Sequence, residues 1–298
     1  MGDPPIRELR IRVGTWNTKF GRADDSLIAG RELDLLCLQE ARRETVDRFA
    51  AHFDWAFFAH DPNLLEGVEP CAKHAPAILG RAPFVAVARP PMRHLVAPDK
   101  VVVADVRVAG TPSFFTLASY HAHNGKKGPD HCDKPRLTMQ VGEWLEGEWG
   151  PVIIGMDTNS PGTDHPDPEL IDCCFSWLGP RQFERRLLGA EATHRLGDVL
   201  RTWLDEHPDE MAAIRNERPD GPLAVSYRTG KVRGRQGNPC RYDHIFATRP
   251  DFRVERVEHL YDEGCEAGSD HALVIADLVC DVEGNPGRSE QLAPTRDN

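Results

Sequence analysis

Short apolar runs rich in β-branched residues alternate with helical patterns along nearly the whole chain, and this alternation limits the folds that the chain can adopt. No linker rich in Ser, Gly or Pro divides the pattern before Cys280. The pattern predicts an α/β fold with a single domain over residues 1–280, followed by a disordered tail over 281–298 that lacks any apolar period. Twelve predicted strands, enough for two sheets, cover residues 9–16, 33–38, 55–59, 77–80, 84–88, 101–108, 114–120, 152–155, 224–228, 242–247, 252–261 and 272–279.

Helical periodicity is clearest over residues 44–52, 135–146 and 198–206, and Asp198 is the predicted N-cap of the last of these helices. Between 160 and 218 the sequence is polar and interrupted by prolines, which predicts helices joined by long loops. We expect the helices to cover the two sheets from outside.

The composition argues against a basic nucleic-acid-binding module and against a membrane-spanning protein. The 47 Asp and Glu residues outnumber the 36 Lys and Arg residues, and the net charge of −11 argues against a free-standing basic module that binds nucleic acid. No apolar run approaches the ~18 residues that a membrane span needs. The first residues show no secretory signal, so we expect a cytoplasmic protein without a membrane partner, whose eight dispersed cysteines are reduced. Nothing in the sequence indicates an obligate protein partner.

Polar side chains end several of the apolar runs, where a buried strand reaches the rim of its sheet. Taken singly, each of these residues is better explained as a turn, a cap or a structural histidine. Taken together, their carboxylates would repel one another unless a cation neutralised them. The residues are Asn17, Glu40, His121, Asp157, Asn159, Asp243, Asp270 and His271.

Such a set of side chains suits the hydrolysis of phosphate esters. A few oxygen ligands are what Mg²⁺ prefers, with Mn²⁺ as the alternative, and substrate phosphate oxygens normally complete its coordination. A carboxylate that does not bind the metal can activate a water molecule, while imidazoles and amides hold the phosphate oxygens. The residues therefore predict a metal-dependent phosphoesterase.

The same residues lie in motifs by which the sequence resembles the endonuclease/exonuclease/phosphatase superfamily, whose members include deoxyribonuclease I and exonuclease III-type repair nucleases. The resemblance implies a four-layered α/β/β/α sandwich, with two mixed sheets packed face to face and helices outside, and a divalent-metal-dependent phosphoesterase activity. The matching motifs occur in the family's order: TWN (15–17), LQEAR (38–42), FTLASYHAHN (115–124), GMDTN (155–159), RYDHIFAT (241–248) and GSDHALVIADL (268–278).

The resemblance also implies roles for the metal-binding and water-activating residues. Glu40 matches the principal Mg²⁺ ligand, with Asn17 and Asp270 close to the ion or its waters. Asp157 matches the group that orients and activates the attacking water, and Asn159 matches the amide that fixes this group and the phosphate.

Three further positions match residues that contact the substrate. His271, paired with Asp243, and His121 look like the groups that bind the phosphate, and His121 is also a candidate proton donor to the leaving oxygen. A carboxylate on one ring nitrogen of His271 would fix its tautomer and raise its pKa. Arg42 matches a position that touches nucleic acid in deoxyribonuclease-like members.

One departure from the family pattern concerns His121. In deoxyribonuclease-like members an acidic residue on the earlier hairpin orients this histidine, but residues 71–78 read CAKHAPAI and contain no acid. Glu66 or Glu69 could replace that acid from the preceding loop. The sequence therefore leaves two possibilities for the leaving group: protonation by His121, or assistance by the metal alone.

Two basic loops favour a polyanionic substrate, because each contact with a phosphate backbone adds attraction. Residues 123–136 and 228–241 flank the proposed site, and their candidate substrate-binding residues are Lys126, Lys127, Lys231, Arg233 and Arg235. We therefore expect a Mg²⁺-dependent nuclease acting on nucleic acid. The alternatives are an inositol polyphosphate or phosphoinositide phosphatase of the same fold and, from a different class, a catalytically inactive binding protein.

Overall fold

A computed structural model gives the structure of the chain, and it describes residues 8–70, 72–111, 114–123, 133–171, 182–230 and 237–281. The predicted tail over 281–298 lies outside this part of the chain except for Asp281, which is the last residue of a strand and not the start of the tail. We number the strands β1 to β14 and the helices α1 to α6 in chain order.

The first sheet has six strands in the order β13-β14-β1-β2-β4-β3. Strands β1 and β2 are parallel, and the other neighbours are antiparallel, so the sheet is mixed. Its strands are β1 (Glu8–Asn17), β2 (Leu35–Ala41), β3 (Trp55–Phe58), β4 (Ala75–Gly80), β13 (Arg253–Leu260) and β14 (Leu273–Asp281).

The second sheet also has six strands, in the order β5-β6-β7-β8-β12-β9, and only β7 and β8 run parallel. Its strands are β5 (Phe84–Ala88), β6 (Val101–Val108), β7 (Phe114–His121), β8 (Val152–Asp157), β9 (Leu196–Asp198) and β12 (Asp243–Thr248). Two short strands, β10 (Tyr227–Thr229) and β11 (Asn238–Cys240), pair with each other and precede β12 in the chain.

Helices pack on the outer faces of the two sheets. Helix α1 buries Val46 and Phe49 and contacts β3. Helix α2 places Leu137, Val141 and Leu145 in an apolar cluster with the outward-facing residues of β7 and β8. The predicted four-layered α/β sandwich is therefore confirmed. The helices are α1 (Arg43–Ala50), α2 (Asp133–Gly147), α3 (Gln182–Leu188), α4 (Val199–Glu206), α5 (Pro208–Glu217) and α6 (Tyr261–Glu266).

The predicted elements differ from the observed ones mainly at their ends. Asp198 caps α4 as predicted, accepting hydrogen bonds from the Leu200 and Arg201 amides, but it also ends β9, which the sequence did not predict. The strand predicted over 252–261 ends at Leu260, because Tyr261 begins the short helix α6. No helix among the described residues is both long enough and apolar enough to cross a membrane.

The two sheets approach each other closely beneath one edge of the sandwich. A Cβ added to Gly155 of β8 would lie 2.5 Å from the Cβ of Cys37 on β2, so only glycine fits there. Next to it, the buried amide of Gln39 donates hydrogen bonds to the hydroxyls of Thr15 and Ser119, both at 3.0 Å. These contacts fix the ends of strands from both sheets relative to one another.

The strand directions bring the polar strand ends to this same edge. β1 and β2 are parallel and so end together, as do β7 and β8. β12 runs antiparallel to β8 and pairs Asp243 with Asp157, while β14 runs antiparallel to β1. Four strands therefore end, and two begin, at one rim of the sandwich.

Candidate active site

Glu40 reaches this rim through an irregularity in β2. The pairing of β2 with β4 shifts register between Leu38 and Ala41, and Glu40 itself has a left-handed backbone, with φ of 50°. Its Oε2 accepts a hydrogen bond from the Phe20 amide at 3.1 Å, and its Oε1 lies 3.4 Å from Nε2 of His121. Burial opposes ionisation of Glu40, but the contact with His121 and the charges of nearby histidines outweigh it and lower the Glu40 pKa to about 2.

Asp157 ends β8 and is almost completely buried. The side-chain amide of Asn17 donates to Oδ2 at 2.6 Å, and the backbone amide of Asn159 donates to Oδ1 at 2.9 Å. Both carboxylate oxygens are therefore held in place by donors. This arrangement orients the carboxylate before any substrate binds.

Asn159, like Glu40, has a left-handed backbone, with φ of 48°. Its side-chain amide donates to the carbonyl of Ala122 at 3.1 Å, and its own carbonyl accepts from Nζ of the buried Lys134 at 2.9 Å. The loop after β8 is thus tied both to the end of β7 and to helix α2.

His271 precedes β14 and pairs with Asp243 at the start of β12. Nδ1 of His271 lies 2.8 Å from Oδ2 of Asp243, and Nε2 lies 4.0 Å from Oδ2 of Asp157. Burial opposes the charge of His271, but Asp243 and then Asp157 more than offset it and raise the His271 pKa to about 10. Burial of Asp243 disfavours its charged form and raises the pKa of its carboxyl. The imidazole is therefore protonated at neutral pH and can donate from Nε2.

His121 ends β7 between two carboxylates. Its Nε2 lies 3.4 Å from Glu40 and 3.9 Å from Oδ2 of Asp157, yet neither ring nitrogen has a hydrogen-bond partner among the described residues. Among the described residues, no carboxylate binds Nδ1 of His121, so the orienting position has no acid there. The neighbouring ring is that of His74, with 6.0 Å between the centroids, while Glu66 and Glu69 are exposed in the preceding loop and form no ion pair with His121 within the described chain.

The other predicted metal neighbours lie at the same edge. The side-chain oxygen of Asn17 accepts from the Lys19 amide at 2.8 Å, so both ends of this amide are in use. Asp270 is partly exposed, and its Oδ2 lies 3.7 Å from Nζ of Lys19. Arg42 is exposed directly after β2, where it precedes α1. Lys126, Lys127, Lys231, Arg233 and Arg235 lie outside the described residues.

Several residues that the sequence analysis did not single out also belong to the site. Phe20 is 42% exposed at its mouth and has a φ of 56°. Tyr227 of β10 packs against the ring of His271, with 4.6 Å between the centroids, and stacks on Tyr242 at 5.3 Å. Left-handed backbone geometry and contacts between distant strands place these residues, and neither leaves a recognisable sequence pattern.

A buried ionic cluster supports the segment that carries Asp243. Nε of Arg241 lies 2.6 Å from Asp164, and Nη2 lies 2.7 Å from Asp198. Burial by itself raises the pKa of both carboxyls. The charge of Arg241, together with Arg201 at Asp164, His244 at Asp198 and the hydrogen bonds from Arg241, outweighs burial, so the pKa of Asp164 is lowered and that of Asp198 falls well below its usual value. Arg201 also pairs with Asp164. The cluster fixes the turn between β11 and β12.

The site contains ligands suitable for a divalent cation. Glu40 is ionised at any pH above its pKa of about 2, and its Oε1 is directed towards the interior of the site. Asp270 adds a second carboxylate at the same rim, where it pairs with Lys19. Carboxylate oxygens of this kind match the preference of Mg²⁺ for a few protein ligands and several waters.

A family model and several solved structures match most of the chain. The model of the Endonuclease/Exonuclease/phosphatase family matches residues 14–271. Among solved structures, D. rerio TDP2 complexed with a single-strand DNA product is 16% identical and has a TM-score of 0.59, with 90% of this chain and 98% of that chain covered. A search of curated proteins finds no match.

Two further structures share the fold. The human nocturnin catalytic domain with a bound sulfate anion is 15% identical, has a TM-score of 0.54, and covers 90% of this chain and 94% of its own. A mannosyl-6-phosphatase from Bacteroides thetaiotaomicron is 14% identical, has a TM-score of 0.54, and covers 90% and 99%. At these identities the likeness shows a common fold.

Proposed function

The chain belongs to the endonuclease/exonuclease/phosphatase family of phosphoesterase hydrolases, and from that premise we propose that it is a Mg²⁺-dependent phosphodiesterase that hydrolyses nucleic acid. One observation carries the proposal: His121 and His271 both lie within 4.0 Å of Asp157, and Glu40 lies 3.4 Å from His121. Carboxylates and imidazoles from both sheets thus surround one small space.

In this proposal Glu40 holds the metal, with Asp270 and Asn17 beside it. When bound, Mg²⁺ supplies Lewis-acid stabilisation of the phosphate oxygens and orients the substrate. Because Oε2 of Glu40 is fixed by the Phe20 amide, Oε1 is the oxygen free to face the ion.

Asp157 is the proposed base for the attacking water. Its two oxygens already accept hydrogen bonds from Asn17 and Asn159, so the carboxylate has a fixed direction. A carboxylate positioned in this way can orient a water for in-line attack on phosphorus and take its proton.

His271 and His121 are the proposed contacts to the phosphate. Protonated His271, held by Asp243, presents Nε2 as a donor to a non-bridging oxygen and meets the charge that develops there. His121 has no orienting acid among the described residues, so we assign it a contact with the phosphate and leave the leaving oxygen to the metal.

Nucleic acid is the proposed substrate because of the side chains at the mouth of the site. Phe20 offers an exposed ring on which a base can stack, and Lys19 and Arg42 add positive charge beside it. The two basic loops of the sequence support the same choice. The D. rerio TDP2 structure, which holds single-strand DNA, is a precedent for this fold.

A substrate panel tests the proposal. The full chain is assayed with Mg²⁺ against plasmid DNA, single-stranded DNA, duplex with an abasic site, RNA and inositol polyphosphates. Asp157→Ala and His271→Ala are the test variants, and Asp47→Ala, which changes an exposed residue on α1, is the matched control. We expect cleavage of at least one polynucleotide by the wild-type and control proteins only.

The remaining outcomes separate the alternatives. Turnover of inositol polyphosphates alone would contradict the nuclease proposal in favour of a phosphatase. No turnover of any substrate would favour a binding protein. Equal activity of the variants and the wild type would mean that the reaction occurs elsewhere.

A further inference from the structure

We propose that Glu40, His74 and His121 form a binding site for a divalent transition-metal ion of the Zn²⁺ type, distinct in ligand chemistry from the proposed Mg²⁺ site. One ligand atom from each residue lies within 4.8 Å of the other two. Two imidazoles and one carboxylate, with the fourth position open, are a ligand set that Zn²⁺ takes in proteins.

Paired strands fix the positions of the three residues. Glu40 lies in the irregular part of β2 and His74 directly precedes β4, and these two strands pair through Ala41 and Ala75. His121 comes from the end of β7 in the other sheet. Little backbone movement is therefore needed to bring the ligands together, which lowers the entropic cost of binding an ion.

The burial of His121 is independent support for a ligand. Its side chain is 5% exposed, and neither ring nitrogen has a hydrogen-bond partner among the described residues, although Nε2 faces Oε1 of Glu40. A buried polar atom without a hydrogen bond destabilises the fold. A metal ion bound between Nε2 and Oε1 of Glu40 would give this nitrogen the partner that the 3.4 Å contact with Glu40 does not supply in hydrogen-bond geometry.

The position of His74 also fits a metal ligand. Its ring packs edge-on against Phe20, with 4.9 Å between the centroids, and Phe20 is the residue whose amide binds Oε2 of Glu40. Phe20 therefore restrains two of the three ligands, leaving Oε1 of Glu40 directed towards the histidines.

The ligand types separate this site from a magnesium site. Imidazole nitrogen suits Zn²⁺ and its neighbours, whereas Mg²⁺ prefers oxygen. The other group with suitable atoms, Asp157, Asp243 and His271, is different because Nδ1 of His271 is already hydrogen-bonded to Asp243. That group belongs to the proposed phosphoesterase site.

Sharing Glu40 has a consequence for activity. An ion bound to Oε1 of Glu40 and to His121 removes both side chains from phosphoester hydrolysis, so Zn²⁺ should antagonise Mg²⁺. This consequence rests on the proposed function, but the binding itself does not.

Isothermal titration of the reduced full chain with ZnCl₂ tests the site. We compare the wild type with His74→Ala, His74→Gln and a control, His94→Ala, which removes an exposed histidine from the loop before β6. We expect one tight binding event in the wild type and the control that weakens at least roughly 100-fold in both His74 variants, because even the loss of an outer-shell partner costs about 10–100-fold. Events at other histidines or cysteines would be common to all four proteins.

Two outcomes would overturn the proposal: no tight event in the wild type, or the same event in both His74 variants. Circular dichroism and thermal unfolding establish that each variant is folded. Because the titration needs no substrate, failure of the nuclease assay leaves this test intact, and a Mg²⁺-dependent nuclease without the Zn²⁺ event would refute only the zinc site.

Discussion

The side-chain amide of Asn17 donates a hydrogen bond to Oδ2 of Asp157 at 2.6 Å, and this bond joins the end of β1 in one sheet to the end of β8 in the other. The proposed base is therefore oriented by a residue from the opposite sheet, some 140 positions away in sequence. The packing of the two sheets and the geometry of the site depend on each other.

Replacing Asn17 should reduce activity without unfolding the chain. Asn17→Ala removes one donor to a charged group, a contribution of about 1.5–3 kcal/mol, which corresponds to a fall in kcat on the order of 10–100-fold. Asn17→Asp should be worse, because it sets a second carboxylate against Asp157. Steady-state kinetics with Mg²⁺ check this order, and equal rates for Asn17→Asp and the wild type would refute the role of the bond.

Asp243→Asn should lower kcat while leaving the substrate affinity nearly intact. The variant keeps the shape of the side chain but removes the charge that holds His271 protonated and oriented. We expect a loss of about 10²–10³-fold, the contribution of one donor to a developing oxyanion. Asp47→Asn, on the exposed face of α1, is the matched control, and a rise in KM alone would contradict the assignment.

Two substitutions of Asn159 distinguish the effect of backbone strain from the effect of losing the side-chain hydrogen bond. Both Asn159→Gly and Asn159→Ala lose the hydrogen bond to the Ala122 carbonyl and should lose activity to the same extent. Only the alanine variant has a Cβ, which at a φ of 48° destabilises the fold by roughly 1–2 kcal/mol. Urea denaturation should therefore find the glycine variant more stable than the alanine variant by about 1 kcal/mol, and the reverse order would contradict this reading of the turn.

The ionic cluster at Arg241 makes stability depend on pH. In the folded chain the pKa values of Asp164 and Asp198 are lowered, so their stabilising contribution is complete above the unfolded value of about 3.9 and is lost as the pH falls through the lower folded values. The contribution of this cluster to wild-type stability should accordingly hold from neutral pH down to about 4 and then decline.

Arg241→Leu should reverse the pH dependence of stability, so that the variant becomes more stable as the pH falls from neutral. It leaves two buried carboxyls with less compensation, at a cost of about 3–5 kcal/mol near neutral pH. Their pKa values then rise, so part of the loss is recovered as the pH falls towards about 5 and they bind protons. Urea denaturation across this range measures the effect, with the exposed Arg256→Leu as control; a difference from wild type that does not change with pH would contradict the account.

The layered fold was predictable because its signal is local. Apolar runs and helical periods mark most strands and helices, and the topology of the sandwich brings Glu40, Asp157, Asp243 and His271 together at the rim where the sequence has polar strand ends. The resemblance to the family supplied the pairing of Asp243 with His271.

Other parts of the site could not be read from the sequence. The neighbour of His121 depends on the pairing of β2 with β4, which brings His74 rather than an acid next to it. The directions of the Glu40 and Asn159 side chains depend on left-handed backbone angles, which the sequence around these residues does not predict. Arg241 gave no signal because its partners, Asp164 and Asp198, are distant in sequence.

The central claim is that Asp157 activates the water in a Mg²⁺-dependent cleavage of nucleic acid. Its most direct test is the single-turnover cleavage rate of an end-labelled oligonucleotide at saturating Mg²⁺, measured for the wild type, Asp157→Asn and Asp47→Asn. The account predicts metal-dependent cleavage by the wild type and Asp47→Asn, and a rate about 10²–10⁴-fold lower for Asp157→Asn. Cleavage by Asp157→Asn at the wild-type rate, or cleavage that persists unchanged after removal of Mg²⁺, would contradict it.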